Sequence, residues 1–157
     1  MAETDKLLDY HKYPIPPNHE EYLGLLRELV IRRIELRYSA NIQQDAWCRA
    51  VVSAVDELVS NVMGHDSKGG LFELKLYVPK VIVCTRLYDC NIDFDELLLK
   101  YKSRHEQEIN SGIPFPSMRG RGLVLINSMM DSITGYQDGI DYVIEAIKNI
   151  PQVKNIQ

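Results

Sequence analysis

The chain has 157 residues, of which 45% are hydrophobic and 25% are charged, a composition typical of a globular domain with one substantial core. Eighteen lysines and arginines against 22 aspartates and glutamates give a net charge of −4 at neutral pH. The sequence contains no run of basic residues and no stripe of alternating aromatic and basic residues. We therefore do not expect DNA or RNA as a partner. We expect one domain spanning residues 1–157.

The sequence also lacks the features of membrane and zinc proteins. No apolar run approaches the roughly 20 residues of a transmembrane helix, and residues 1–6 carry acids where a secretory signal has a basic region. We therefore expect no membrane association and a cytoplasmic protein. Cys48, Cys84 and Cys90 show no metal-ligand spacing, which favours reduced thiols and argues against zinc.

The first half of the chain predicts two helices. A proline-broken opening at 13–18 leads into residues 20–37, where six apolar residues recur at helical spacing: Tyr22, Leu25, Leu26, Leu29, Val30 and Ile34. A second helix is predicted over 43–64, with a buried stripe made of Trp47, Val51, Ala54, Leu58 and Val62. The stripe leaves neighbouring positions on this helix free for polar side chains.

The second half of the chain predicts mainly strands. Alternation over 72–78 and the apolar run 81–87 predict two antiparallel strands. A helix is predicted over 95–111, a mobile loop over 112–117 and a third helix over 122–131. Two short segments, 133–136 and 142–147, flank an Asp138-Gly139 turn signal and predict a closing hairpin. This order predicts an α+β fold, a two-layer sandwich with helices packed on one face of a mostly antiparallel mixed sheet.

Three polar residues of the second predicted helix form the first candidate motif. Glu57, Asn61 and His65 occur at i, i+4 and i+8, hence along one side of the helix. Mg²⁺ prefers oxygen ligands and keeps several waters, so the Asn61 carboxamide and substrate phosphates could complete its shell. Glu57 could hold a water or accept a proton from an attacking hydroxyl. Two simpler interpretations stay open, a solvated helix face for Glu57 and Asn61 and a helix-end cap for His65.

A glycine pair before the third predicted helix forms the second motif. Gly120 and Gly122 flank Arg121, and Leu123 begins an apolar helical pattern. Glycines let the backbone approach a phosphate, and the free N–H groups at a helix start attract anions. The two motifs together predict a nucleotide site. Alternatively, Gly122 serves only a tight turn and Arg121 is a surface charge.

The two motifs resemble those of the Bergerat-fold ATPases, the superfamily of gyrase, heat-shock chaperone, histidine-kinase and mismatch-repair ATPase domains. From about residue 13 to 147, the chain is similar to the anti-sigma-factor serine kinases of partner-switching systems. The family boxes E-L-x-x-N-x-x-x-H and G-x-G-L-x-L-I with a terminal M-D-x-[VI] are matched by Glu57, Leu58, Asn61, His65, Gly120, Gly122, Leu123, Leu125, Ile126, Met130, Asp131 and Ile133.

The resemblance implies a function and a set of partners. It implies an ATP- and Mg²⁺-dependent serine/threonine protein kinase that phosphorylates a small antagonist protein and also sequesters a sigma factor or a similar regulator. Glu57 is then the catalytic carboxylate and Asn61 the metal ligand, while His65 and residues 120–123 contact the nucleotide beneath a lid over 95–119. The resemblance further implies a homodimer, with a partner surface near the first predicted helix, where Arg27, Arg32, Arg33 and Arg37 interleave with Glu28 and Glu35.

The middle box of the family, D-x-G-x-G-F, is altered in this chain. Its place is taken by residues 89–94, so Asp89 stands at the adenine position while Asn91 and Asp93 replace both glycines beside the nucleotide. Asn and Asp tolerate positive φ better than other non-glycine residues, but their side chains crowd the site. Asp89 could also be a simple turn former. The altered box supports an alternative function, a non-catalytic binding module that sequesters a partner with weakened or lost ATP binding.

Overall fold

The fold comes from a computed structural model that describes residues 5–17, 19–63, 68–91, 99 and 126–151. These ranges contain five strands and two long helices. In chain order they are β1 (Leu7–Ile15), α1 (Glu21–Tyr38), α2 (Ala46–Met63), β2 (Gly70–Tyr77), β3 (Lys80–Leu87), β4 (Ser132–Asp138) and β5 (Asp141–Asn149). A short helical segment at 126–129 precedes β4. None of the helices described here is long and apolar enough to cross a membrane.

The five strands form one sheet in the order β1-β2-β3-β5-β4. Every pairing between neighbours is antiparallel, so the mixed character expected from the sequence is not found among the described strands. Two of the four pairings have a local reason, because two-residue turns join β2 to β3 and β4 to β5, and strands joined so tightly must run in opposite directions. The predicted strand pairs, including the hairpin at Asp138-Gly139, are confirmed.

The helices cover one face of this sheet. Side chains of β2 alternate strictly between buried and half-buried, as in a sheet with one face against the core. The helix α2 packs against α1, β3 and β5. Its predicted stripe is confirmed, since all five members are buried: Trp47, Val51, Ala54, Leu58 and Val62. The molecule is thus an α+β protein whose described elements form two layers.

The strand β1 was not predicted from the sequence. Residues 13–18 suggested only a proline-broken opening, yet β1 runs to Ile15 as an edge strand paired with β2. An edge strand tolerates Pro14 because one side of its backbone needs no ladder hydrogen bonds. The Tyr13 ring stacks on Phe72 with centroids 6.2 Å apart, which holds the strand to its neighbour.

The helix α1 confirms the predicted segment but not the burial of every apolar residue in it. Its buried residues are Leu26, Val30, Ile34 and Tyr38. Leu25 and Leu29 are instead 63% and 39% exposed, and Leu36 is 59% exposed. A helix that packs on one side buries only a limited arc of its surface, and these three leucines lie outside that arc. They leave an apolar stripe on the surface of α1.

Candidate functional site

The last two turns of α2 carry the candidate catalytic pair. Glu57 and Asn61 are both partly buried and lie one turn apart, about 6 Å along the helix axis. The residues that follow them, Leu58 and Val62, are completely buried and fix the rotation of the helix. The pair therefore projects from a helix that the core holds rigidly.

The Glu57 carboxyl has an unusual electrostatic environment. Burial raises its pKa above the ordinary value of 4.5, and the adjacent Asp56 carboxylate adds to the rise. Asp56 itself is engaged by Arg27, which donates from Nε at 2.9 Å and from Nη2 at 2.8 Å. Among the described residues, none forms a hydrogen bond or ion pair with Glu57. A carboxylate with a raised pKa and free lone pairs is suited to accept a proton.

The end of α2 that bears this pair lies at one particular end of the sheet. Gly70, the first residue of β2, is placed so that an added Cβ would come 2.9 Å from Val62 of α2 and 1.9 Å from the Arg86 carbonyl oxygen. Only glycine permits such a close approach of helix and strands. Gly70 also pairs with Leu87, the last residue of β3. The C-terminal end of α2 thus lies where β3 ends.

The turn after β3 holds the residues that the resemblance places at the adenine. Asp89 has a left-handed backbone with φ of 47°. Its carboxylate forms an ion pair with Lys68, and its backbone N–H donates to the Asp141 carboxylate at 3.0 Å. Asn91, two residues later, is exposed. The described structure therefore gives Asp89 a turn-forming role and a cationic partner of its own.

Hydrogen bonds to the β4–β5 hairpin stabilise the turn after β3. Arg86 donates to the carboxylates of Asp138 at 2.6 Å and Asp141 at 3.3 Å. The Gln137 carboxamide donates to the Cys90 carbonyl at 2.9 Å, and the Cys90 N–H donates to the Ile140 carbonyl at 2.8 Å. Backbone and side-chain bonds together hold the segment after β3 against the hairpin.

The structure thus brings two of the three predicted parts to one end of the molecule. Glu57 and Asn61 come from α2, and Asp89 and Asn91 from the turn after β3. The remaining predicted site residues and the lid fall outside the described residues, apart from Leu99: they are His65, Asp93, Gly120, Arg121, Gly122 and Leu123. Sequence patterns did not identify Lys68, Arg86 or Gln137, because each has a partner between 21 and 55 residues away in the chain.

The fit of Mg²⁺ to this end of α2 rests on one oxygen donor. No group of three or more His, Cys, Asp or Glu suited to hold a metal occurs in the described part of the chain. The partly buried Asn61 carboxamide has no hydrogen-bond partner among those residues. One such oxygen suffices for Mg²⁺ when substrate phosphates and waters supply the other ligands. Asn61 is the residue that would hold it.

Comparison with known proteins assigns no family to this chain. No protein-family model matches it, and no curated protein matches it.

Proposed function

We propose that the protein is an ATP-dependent serine/threonine protein kinase of the Bergerat fold that phosphorylates a protein antagonist in a partner-switching system. The observation that carries the proposal is the pair of polar residues on α2. Glu57 is partly buried, its pKa is raised, and it has no partner among the described residues. Asn61 lies one helical turn away. The two-layer α+β arrangement and the motif at 120–126 add support. Binding and sequestration of a sigma factor belong to the same proposal.

The roles of the two residues follow from their chemistry. The hydroxyl oxygen of the acceptor serine attacks the γ-phosphorus of ATP, its proton passes to the Glu57 carboxylate, and ADP leaves with the electrons of the broken P–O bond. Bound Mg²⁺ would neutralise charge on the phosphates, and Asn61 would supply its protein ligand. The raised pKa makes the Glu57 carboxylate a stronger base than an exposed glutamate.

Phosphoryl transfer tests the proposal. The protein is incubated with γ-labelled ATP, Mg²⁺ and the antagonist protein, and label on serine or threonine is counted. We expect Glu57→Gln to retain nucleotide binding and to lose transfer by about 100-fold or more, because general-base catalysis is worth about that much. Glu20→Gln is the matched control, since Glu20 makes no capping bond at the start of α1. Transfer by Glu57→Gln at the rate of the native protein would contradict the role of Glu57.

A second function, a binding module without transfer activity, is supported by the turn after β3. Asp89 is paired with Lys68, and Asn91 takes the place of a glycine. The Lys68 ammonium group competes with adenine for the Asp89 carboxylate, so the need to break this ion pair would weaken nucleotide binding. If no antagonist protein accepts phosphate from the native protein, the binding module is the better account.

The surface of α1 supports the homodimer that belongs to this proposal. Of the charged residues expected there, Arg27 pairs with Asp56, Arg37 pairs with Asp9, and the Glu35 carboxylate accepts from the Ile42 N–H. These three residues form contacts within the chain, so they are not available to pair with a second copy. The exposed stripe therefore consists of Leu25, Leu29 and Leu36 flanked by Glu28, Arg32 and Arg33.

This stripe is complementary to itself. When two copies of α1 pack antiparallel with Leu25 opposite Leu36, Glu28 and Arg32, which lie on the same edge of the stripe, come close to each other in both halves of the interface. Sedimentation at tens of micromolar tests the pairing. We expect a dimer for the native protein and a monomer for Leu29→Asp. Ile140→Asp, the same kind of change at an exposed turn residue, is the control and should stay dimeric. A native protein that sediments only as a monomer contradicts the dimer.

A further inference from the structure

A groove of about 690 Å³ lies at the opposite end of α2 from Glu57 and Asn61. One wall is the first half of α2, where Ala46, Ala50 and Ser53 lie on one face at i, i+4 and i+7. The other wall combines Met129 with residues 148–151 at the end of β5. The three small side chains of α2 leave the space open, and the volume falls within the range of small-molecule sites, about 300–1,000 Å³.

The lining of the groove is apolar with a cationic rim. Its apolar part consists of Ala46, Trp47, Ala50, Met129, Ile150 and Pro151. Two cations, Arg49 and Lys148, face one carboxylate, that of Asp131. The groove therefore carries an excess of one positive charge beside a largely apolar surface.

Neither cation is fully neutralised within the described residues. Arg49 donates from Nη1 to the carbonyl oxygens of Ile42 at 3.0 Å and Gln43 at 2.8 Å, which are uncharged acceptors. Lys148 donates to the Met129 carbonyl at 2.8 Å, while its Nζ lies 3.8 Å from the Asp131 carboxylate. The Asp131 carboxylate in turn accepts from the Asn149 N–H at 2.6 Å. An incoming carboxylate would find partial positive charge that the described residues leave unpaired.

We propose that this groove binds a small amphipathic carboxylate, with its apolar body along Trp47 and the small residues of α2 and its carboxylate near Arg49 and Lys148. Charge complementarity selects an anion, and the apolar lining selects a ligand with an alkyl or aromatic body. The groove shares no residue with the proposed nucleotide site, so this inference stands independently of the kinase proposal.

Trp47 is the single tryptophan of the chain and lines the groove, so its fluorescence reports directly on occupancy. The native protein is titrated with decanoate below the concentration at which it forms micelles, and in parallel with decanol, the neutral compound of equal length. We expect a saturable change in Trp47 emission for both and at least tenfold tighter binding for decanoate. Equal affinities, or no saturable change with decanoate, would overturn the proposal.

Two variants and one control sharpen the test. Ser53→Leu fills the groove and is expected to weaken decanoate binding at least tenfold, whereas Ser60→Leu places the same side chain at an exposed position of α2 and should leave binding unchanged. Lys148→Met is expected to reduce the preference for decanoate over decanol at least threefold. Native affinity in Ser53→Leu overturns the proposal. A Trp47 emission that changes with protein concentration but not with decanoate also overturns the proposal, because a second copy of the chain would then cover the groove.

Discussion

The two described parts of the proposed nucleotide site differ in how far their polar groups are already engaged. On α2, Glu57 and Asn61 find no partner among the described residues. In the turn after β3, Asp89 has an ion pair with Lys68 and a backbone bond to Asp141. Within the part of the chain that the structure describes, the α2 side of the site leaves its polar groups unpaired, whereas the side formed by the turn after β3 uses its polar groups to hold that turn.

This difference distinguishes polar residues that are available to bind a ligand from polar residues that stabilise the fold, a distinction that the sequence motif alone does not make. A partly buried polar group without a partner costs stability and is expected where it meets a ligand or reaction. A polar group with several partners is accounted for by the fold itself. The metal and phosphate end of the site is therefore the better supported half, and the adenine end is the half in which the kinase and binding-module accounts differ.

The largest expected effect comes from a substitution on α2 that removes a proposed ligand of the nucleotide site. Asn61→Ala should lower Mg²⁺-dependent affinity for ADP by about 100-fold, or ~2.7 kcal/mol, because it removes the proposed protein ligand of the metal. Thermal unfolding should change little, since the Asn61 side chain has no partner in the described structure. Calorimetric titration measures both proteins, with Ser60→Ala as the control on an exposed position of the same helix. Equal affinity in the variant and the native protein would remove Asn61 from the site.

A smaller effect tests the turn after β3. Lys68→Met releases Asp89 from its ion pair, so a nucleotide whose adenine uses Asp89 should bind up to about fivefold tighter. The gain is limited because exposed ion pairs are worth about 1 kcal/mol or less. Lys80→Met is the matched control, since it breaks the Lys80–Asp5 pair at the other end of β3. Unchanged affinity in Lys68→Met would show that the ion pair does not limit nucleotide binding.

The smallest effect concerns the stability cost of Glu57. Because its pKa is raised above 4.5 in the folded protein, the folded state binds the proton more tightly than the unfolded state. Stability therefore falls as pH rises from 4.5 through the folded value. Glu57→Gln removes this loss, so it should raise Tm at pH 7 by about 1–2 °C, a size limited by solvent screening of a partly exposed group.

The pH dependence distinguishes this account from a general effect of the substitution. The gain in Tm for Glu57→Gln should disappear at pH values below 4.5, where the glutamate is protonated in both states. Thermal scans between pH 4 and 8 measure it, with Glu20→Gln as the control for the same change of side chain at an exposed position. A gain of equal size at every pH would contradict the assignment of the effect to ionisation.

The main elements were predictable because their signals are local. The buried stripe of α2 repeats within the helix itself, and the Asp138-Gly139 signal marks the point where β4 ends and the two-residue turn to β5 begins. Gly139 adopts the positive φ of 62° that such a turn requires. A local period or turn needs only neighbouring residues, so it can be recognised without knowing the rest of the fold.

The parts that escaped prediction depend on distant partners. The strand β1 is defined by pairs such as Tyr13 with Phe72, and a proline-containing segment gives no internal sign of that pairing. The ion pair of Asp89 with Lys68 and the groove at the other end of α2 also combine separate segments. Leu25 and Leu29 show the same limit, because spacing identifies a helix but not which of its sides the neighbours cover.

The central claim, a Mg²⁺-dependent nucleotide site at the C-terminal end of α2, is tested most directly by calorimetric titration of the native protein with a non-hydrolysable ATP analogue, with and without Mg²⁺. The account predicts one site per chain with a Kd of about 1–100 μM, weakened at least tenfold when Mg²⁺ is removed. No binding at about 1 mM analogue in the presence of Mg²⁺, or equal affinity with and without the metal, would contradict it.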